Sequence, residues 1–141
     1  MGSIDKGAVG FTKHLLVDIW DSKDVNGFVS HFAPDGTWII NTSPPAKGHD
    51  AIRAVTEALM ATAKSSRHSD LQGYICSKDE TPNNSDKSSK KIVTHGAVEY
   101  EREGMESVTC RWCDIFHINA EGKIALAYTF MDTSPLVVSS S

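Results

Sequence analysis

Apolar residues recur at helical spacing in three segments of the N-terminal half. Residues 7–21, 25–32 and 49–64 each carry apolar side chains three and four positions apart, which is the period of an amphipathic helix. Asp24 precedes the second segment and is suited to cap it. Asp50 lies in the first turn of the third, where an acid complements the helix dipole. We therefore predict three helices.

Strand patterns dominate the rest of the chain. Residues 33–36 break the second helix, residues 37–41 are rich in β-branched and aromatic side chains, and residues 42–48 contain two prolines that predict a loop. Further strands are predicted at residues 67–77, 92–102, 107–119 and 123–132. The turn at residues 119–122 joins the last two as a tight hairpin, with Gly122 suited to a positive φ.

This order of elements predicts an α+β fold, with the helices packed on one face of a curved, mostly antiparallel sheet. A length of 141 residues fits a single domain over residues 1–141 with a substantial core. Residues 78–91 are almost wholly polar, so we expect a long flexible loop there. The tail at residues 139–141 is expected to fray.

Charge and hydropathy exclude several classes of partner. The chain carries 14 Lys and Arg against 18 Asp and Glu, and the only basic run is residues 87–91, so a nucleic-acid partner is not expected. Residues 1–10 hold no apolar run suited to a leader, and no stretch of about 18 apolar residues suits a membrane span. We expect a cytoplasmic protein that does not bind membranes.

The cysteines favour free thiols. Cys76, Cys110 and Cys113 are an odd number, which argues against a disulfide framework. Cys110 and Cys113 have the spacing of a metal-binding pair, but residues three apart on a strand point to opposite sides of the sheet. No metal site is expected.

Three stretches together resemble a known family. They are residues 25–38 (VNGFVSHFAPDGTW), 45–59 (PAKGHDAIRAVTEAL) and 113–136 (CDIFHINAEGKIALAYTFMDTSPL). In this order they resemble the SnoaL-like branch of the nuclear transport factor 2-like superfamily, which includes polyketide cyclases, ketosteroid isomerases, limonene-epoxide hydrolases and fungal natural-product isomerases. The resemblance covers nearly the whole chain. It implies a cone-shaped α+β barrel around a pocket, no metal or organic cofactor, and a homodimer built through the outer sheet face.

Asp114 is the first candidate catalytic residue. Its position resembles the one where ketosteroid isomerases place a pocket acid that donates a hydrogen bond to the substrate oxygen. If Asp114 points inward, strand alternation also turns three neighbours inward: Cys110, Trp112 and Phe116. Four others then face outward: Arg111, Cys113, Ile115 and His117. An inward acid between two aromatic residues is expected to have a raised pKa; the alternative is an acid that caps a bulge or pairs with a surface base such as Arg111.

Alignment carries the same alternation to the neighbouring strands. The inward residues it predicts there are Trp38, Ile40, Val98, Tyr100, Ala127, Thr129 and Met131. The predicted substrate-binding set is Trp38, Ile40, Tyr100, Cys110, Trp112, Phe116, Thr129 and Met131. For the aromatic members, simple core packing is the alternative.

Histidines supply the second candidate catalytic residue. His68 begins the strand after the third helix, where related proteins commonly place a pocket residue, and a histidine there is suited to act as a general base. A surface or structural role is the alternative. His14 and Asp18, four residues apart, predict a solvated pair. His95 and His117 fall on the outer face, where an interface is the natural expectation.

At the positions where two groups of relatives carry their catalytic residues, this chain has other side chains. Where ketosteroid isomerases carry a catalytic carboxylate and a tyrosine, the alignment places Ile40 and Leu16. The water-activating set of limonene-epoxide hydrolases falls on Thr129, the region of Gly96 and Val98, Trp38 and Ile40. Neither set of side chains is present at these positions.

These features favour a cofactor-independent cyclase or isomerase. The substrate class is a bulky hydrophobic polyketide or terpenoid intermediate, and one positioned acid/base group is able to promote cyclisation, isomerisation or dehydration. The alternatives are an epoxide hydrolase with its own residue set and a non-catalytic small-molecule-binding or dimeric module.

Overall fold

The first predicted helix changes geometry halfway along. A computed structural model of the protein describes residues 6–76 and 90–136. Helix α1 (Lys6–Thr12) continues as a π-helix over Lys13–Trp20. In this wider turn the backbone N–H of Asp21 donates to the carbonyl of Leu16 at 2.9 Å, five residues back. Such turns are frequent at functional sites, and here the turn ends the helix at Asp21.

The second and third helices are shorter than predicted, because the sheet takes over their last residues. Helix α2 (Val25–Ser30) begins as expected, since the Asp24 carboxylate accepts the backbone N–H of Gly27 at 2.9 Å. This helix ends at Ser30, two residues before the predicted end. Phe32, which was predicted to be helical, is instead the first residue of a strand. Helix α3 (His49–Met60) ends four residues before the predicted position. Residue 64 is instead bonded to the sheet, with its backbone N–H 2.7 Å from the carbonyl of Glu101.

Six strands form one sheet. They are β1 (Phe32–Ile40), β2 (Ala46–Lys47), β3 (Ser65–Cys76), β4 (Lys90–Glu101), β5 (Val108–Ile118) and β6 (Ile124–Met131). The spatial order is β2-β1-β6-β5-β4-β3, with β1 parallel to β6 and all other neighbours antiparallel. The predicted α+β architecture with a curved, mostly antiparallel sheet is confirmed.

Some local predictions are wrong. Residues 33–36 do not interrupt the chain before the sheet but lie inside β1, where the register with β6 shifts between Phe32 and Thr37. Strand β2 lies in the segment predicted as loop, directly after its two prolines, and pairs with Thr37 and Trp38. Residues 90 and 91, which were predicted as the end of a loop over residues 78–91, belong to β4. The rest of that loop and the tail at residues 139–141 lie outside the described residues.

The core lies between the helices and one face of the sheet. Leu15, Ile52 and Ile124 are fully buried at its centre, with Phe32 and Phe116 almost fully buried beside them. The other face of the sheet carries no described helix, so its side chains are more exposed. Within the described ranges, no helix is long and apolar enough to cross a membrane.

Candidate active site

A cavity of about 330 Å³ opens between the helices and the inner face of the sheet. This volume falls within the usual range of small-molecule sites, roughly 300–1,000 Å³. Its wall is mostly apolar and aromatic. The residues with polar groups in this wall include Trp38, Arg102, His68, Trp112, Asp114 and Thr129.

Most of the predicted site residues line this cavity. The set comprises Asp114, His68, Trp38, Ile40, Tyr100, Trp112, Phe116, Thr129 and Met131, together with Val98. Cys110 is the exception, because it has no exposed surface and does not line the cavity as predicted. Ala127 is likewise buried behind the wall.

Strand β5 shows the predicted alternation. Its buried residues are Cys110, Trp112, Asp114, Phe116 and Ile118, whereas the residues between them are partly or fully exposed. The two cysteines of the CxxC spacing therefore lie on opposite faces, with Cys113 beside His95 and Phe130 in the strand register. Within the described ranges, no group of three or more His, Cys, Asp or Glu side chains is arranged to hold a metal ion.

Asp114 is a buried acid. Only 5% of its surface is exposed, and its strand partners are Thr94 and Thr129. Its Oδ1 atom has no hydrogen-bond partner among the described residues. Burial raises the pKa of this carboxyl to about 6, although a hydrogen bond from Thr129 and the charge of His68 act in the opposite direction. The predicted raised pKa thus has its expected cause.

A short relay of hydrogen bonds orients Asp114. The indole Nε1–H of Trp38 donates to the Thr129 hydroxyl oxygen at 2.8 Å. Because that oxygen already accepts a hydrogen bond from the indole, the Thr129 hydroxyl hydrogen is directed to the carboxyl of Asp114. Oδ1 of this carboxyl is buried and has no hydrogen-bond partner among the described residues.

His68 is held by an aspartate that the sequence analysis missed. The imidazole Nδ1 lies 2.7 Å from Oδ1 of Asp21, and the His68 backbone N–H donates to Oδ2 of the same carboxylate at 2.8 Å. The Ser66 hydroxyl also donates to Asp21, at 2.7 Å. Side-chain exposure is only 8% for His68 and 12% for Asp21. The pair is therefore a shielded and fully oriented His–Asp dyad.

Trp112 lies between the two titratable groups. Its ring packs edge-on against the His68 imidazole at a centroid distance of 5.6 Å, and it is two residues from Asp114 on the same face of β5. Gly96, its strand partner, leaves room for this ring, because a Cβ there would lie 3.0 Å from Trp112 and 2.8 Å from the Ser69 carbonyl. The Trp112 Nε1–H is buried without a partner.

Three residues of the cavity wall each carry a buried polar atom without a hydrogen-bond partner among the described residues. Within the described residues they are Trp112 Nε1, Asp114 Oδ1 and Arg102 Nε, and all three residues line the cavity. Buried polar groups are normally bonded, so each such exception calls for an explanation. The three atoms are two nitrogen donors and one carboxyl oxygen.

Sequence patterns gave no direct sign of Asp21 or Arg102. One signal was available for Asp21: an acid at a helix C-terminus opposes the helix dipole and so needs a separate reason. Arg102 is the last residue of a predicted strand and resembles any surface base. Helix residues that complete the wall, such as Trp20 and Phe28, were assigned only to apolar stripes.

The other predicted histidines lie outside the cavity. His14 and Asp18 form the expected exposed pair at 3.3 Å, with 59% and 54% of their side chains exposed. On the outer face, His95 stacks on Tyr74 and His117 packs edge-on against Tyr128. Burial, followed by the nearby charge of Lys91, lowers the pKa of His117.

Solved structures share this fold. A ketosteroid isomerase-like protein from Erwinia carotovora atroseptica aligns at 16% identity with a TM-score of 0.58, covering 89% of this chain and 94% of its own. An NTF2-like protein of unknown function from Burkholderia pseudomallei aligns at 16% identity with a TM-score of 0.67, covering 92% of this chain and 94% of its own. AusH from Aspergillus nidulans aligns at 17% identity with a TM-score of 0.65, covering 93% of this chain and 88% of its own. At these identities the likeness establishes the fold alone.

Sequence comparison gives the family. No curated protein matches the chain significantly. The SnoaL-like domain family matches residues 14–127, which include β1, α3, His68, Trp112 and Asp114. Since the match spans most of the sequence, this chain belongs to the SnoaL-like domain family.

Proposed function

We propose that the protein is a cofactor-independent isomerase or cyclase that moves a proton on an enolisable, bulky hydrophobic substrate. The observation that carries this proposal is that a shielded His–Asp dyad and a buried carboxyl with a raised pKa line the same apolar cavity. Pairs of titratable groups in different environments are typical of acid/base sites. The polyketide or terpenoid class of substrate rests on the family resemblance.

His68 is the general base. An ionised carboxylate only accepts hydrogen bonds, so the contact with Asp21 places the imidazole proton on Nδ1 and leaves Nε2 as an acceptor. When Nε2 takes a proton from substrate carbon, the Asp21 carboxylate stabilises the imidazolium that forms. The backbone and Ser66 bonds to Asp21 keep this orientation fixed before the substrate enters.

Asp114 and Trp112 stabilise the oxygen that gains charge. In its protonated form Asp114 donates from Oδ1 to a substrate carbonyl, and the unpartnered indole N–H of Trp112 supplies a second donor nearby. The C–H electron pair then moves into a carbon–carbon double bond while the carbonyl becomes an enol. When the enol is conjugated with a second double bond, His68 returns its proton to the far carbon, the enol O–H proton passes back to Asp114 and the carbonyl forms again, which completes an isomerisation without any redox change. Attack of the enol carbon on an internal electrophile would give a cyclisation.

Water exclusion strengthens both steps. The wall around Asp114 consists largely of aromatic and aliphatic side chains, including Phe116 and Trp38, and a bound hydrophobic substrate displaces the remaining solvent. A drier site raises the pKa of Asp114 further and keeps it protonated as a donor. Tyr100 is also kept protonated, since burial raises the pKa of its hydroxyl, which donates to the sulfur of Met131 at 3.4 Å.

A proton-exchange assay tests this chemistry before the natural substrate is known. A panel of polycyclic ketones with acidic α-hydrogens is incubated in D₂O, and deuterium incorporation is followed by NMR. We expect His68→Gln to lower the exchange rate by about 10²–10⁴-fold, the usual contribution of a general base. The matched control, His14→Gln, removes a histidine from the exposed pair and is expected to exchange at the unaltered rate.

The same assay separates the alternatives. Exchange that is equal in His68→Gln and in the unaltered protein, with ketone binding retained in both, contradicts the acid/base proposal and favours a non-catalytic binder. For epoxide substrates, incorporation of ¹⁸O from labelled water into product identifies hydrolysis and rejects isomerisation. The rate is also expected to fall as pH rises above about 6, because Asp114 then loses the proton it donates.

The outer sheet face supports the proposed homodimer. Tyr128 and Phe130 stack there with parallel rings, and Phe130 is among the exposed large hydrophobic residues. Exposed aromatic groups of this kind are enriched at interfaces between subunits. Light scattering over a range of protein concentrations measures the assembly, and a monomer at all concentrations rejects it.

A further inference from the structure

Arg102 is a partly buried cation at the wall of the cavity. It follows β4 directly and lines the cavity. One guanidinium nitrogen, Nη1, donates to the carbonyl of Leu136 at 3.3 Å, whereas Nε is buried without a partner. No ion pair connects it to any acid within residues 6–76 and 90–136.

Glu101 and Glu103 flank Arg102 in the chain, and neither forms an ion pair with it; Glu103 is exposed. Glu101 pairs with Lys64 at 3.4 Å. Asp132, whose charge raises the pKa of Cys110 whereas that of Arg102 lowers it, accepts the Ser134 backbone N–H at 3.0 Å and the Ser134 hydroxyl at 2.7 Å. Among residues 6–76 and 90–136 the guanidinium charge therefore has no carboxylate partner, which is costly for a partly buried cation unless a ligand supplies one.

Arg102 and Asp114 lie at different ends of the cavity. Asp114 pairs with Thr94 in the strand register, and Arg102 is eight residues farther along the chain from Thr94. A carboxylate at Asp114 repels an anion, and the Arg102 end attracts one. By the strand register, His68, which pairs with Val98, lies between Asp114 and Arg102, so the cation is on the far side of His68 from the buried acid.

We propose that the substrate is a hydrophobic carboxylic acid whose carboxylate binds Arg102 while its enolisable carbonyl lies between His68 and Asp114. This inference rests on the proposed function for the reacting end and adds the anionic end. Nη1 donates to Leu136, and Nη2 has no hydrogen-bond partner among the described residues, so Nη2 is the nitrogen that donates a charge-assisted hydrogen bond to the carboxylate. Arg102 is then the residue that selects acids over neutral analogues of the same size.

Binding of a matched pair of probes tests this assignment. Pyrenebutanoate and pyrenebutanol share one hydrophobic skeleton and differ in the terminal group, carboxylate or alcohol. Energy transfer from the cavity tryptophans, including Trp38 and Trp112, to pyrene reports binding to the intact protein. We expect the acid to bind at least about tenfold more tightly than the alcohol, as a charge-assisted hydrogen-bond pair allows.

Substitution of Arg102 identifies the group responsible. Arg102→Met is expected to remove the preference for the acid with little change in affinity for the alcohol, and Arg102→Lys to keep part of it. Arg111→Met is the matched control, since Arg111 lies on the outer face with its guanidinium 3.5 Å from Asp70. The control is expected to keep the full preference.

The outcomes are decisive in both directions. Equal affinities of the unaltered protein for acid and alcohol overturn the proposal, and this result does not depend on how any variant folds. A preference that persists in Arg102→Met and in a second neutral variant, Arg102→Gln, assigns the anion to another group and also overturns it. Loss of acid selectivity leaves the proton-exchange result untouched, so failure of this inference is distinguishable from failure of the proposed function.

Discussion

The chain contains two His–Asp pairs, and they differ in what surrounds them. His14 and Asp18 are 3.3 Å apart on one helix, with more than half of each side chain exposed. His68 and Asp21 are 2.7 Å apart across 47 positions of the chain, and both are almost fully shielded. The first pair contacts no cavity, whereas His68 lines one.

The two pairs have the same residue types and differ in their environment, and only the buried pair has the arrangement that the proposed proton transfer requires. In water an exposed pair gains little, because solvent competes for every hydrogen bond and salt screens the charges. The buried pair is fixed by two further bonds to Asp21, from Ser66 and from the His68 backbone. A fixed tautomer aimed at an apolar space is the arrangement that proton abstraction requires.

Among the substitutions that test the difference between the two pairs, replacement of Asp21 is expected to have the largest effect. In Asp21→Asn the amide is able to donate to Nδ1 of His68, which moves the imidazole proton to Nε2 and removes the base. We expect the proton-exchange rate to fall about hundredfold with little change in ketone affinity. Exchange kinetics at several ketone concentrations separate the rate from the affinity.

The exposed pair provides the control for that experiment. Asp18→Asn makes the same chemical change beside His14 and is expected to leave exchange unaltered. Asp21→Glu restores the carboxylate, so partial recovery is expected if Asp21 orients His68. Exchange rates in Asp21→Asn that match those in Asp18→Asn would remove Asp21 from the mechanism, even if the variant is less stable.

Asp114 provides the next test, through stability. Because burial raises its pKa from an ordinary 3.8 to about 6, ionising it disfavours the folded state. That cost is absent below the ordinary pKa, grows as pH rises through the two values and is complete above about 6. Asp114→Asn is therefore expected to stabilise the protein at neutral pH by about 1–3 kcal/mol.

Urea unfolding at two pH values measures this effect. The gain in the free energy of unfolding is expected at pH near 7 and is expected to disappear as pH falls toward the ordinary carboxyl range. Asp18→Asn, whose carboxylate is exposed, is the matched variant and should show no such gain. Destabilisation of Asp114→Asn at neutral pH would mean that the carboxylate is structurally required, which contradicts its assignment as a strained acid. Greater stability with lower activity is a common trade-off at active sites.

The same contrast explains what the sequence was able to predict. The resemblance to ketosteroid isomerases predicted that Asp114 points inward, and alternation along β5 then oriented Cys110, Trp112 and Phe116, because one anchored residue determines the orientation of its neighbours on a regular strand. The helix stripes and the α+β order were equally local patterns. Phe32 was misassigned because a phenylalanine at helical spacing suits both a stripe and the start of a buried strand.

The dyad escaped sequence analysis because it depends on tertiary structure. Asp21 reaches His68 only because the π-helical turn ends the first helix beside β3. His14 and Asp18, by contrast, were predicted from a spacing of four alone and confirmed. Arg102 presents the same difficulty, since its unpartnered Nε is visible only when the cavity is formed. Local periodicity predicts which face a side chain occupies, and not which distant partner it meets.

The smallest expected effect concerns the exposed pair itself. His14→Gln combined with Asp18→Asn removes the 3.3 Å contact, but both side chains are more than half exposed. Double-mutant cycles of such pairs usually give under about 0.5 kcal/mol, so we expect the free energy of unfolding to change by no more than that. Urea unfolding of the two single variants and the double variant measures the coupling. A coupling energy above about 1 kcal/mol would show that exposure does not separate the two pairs, and the contrast drawn from burial would then fail.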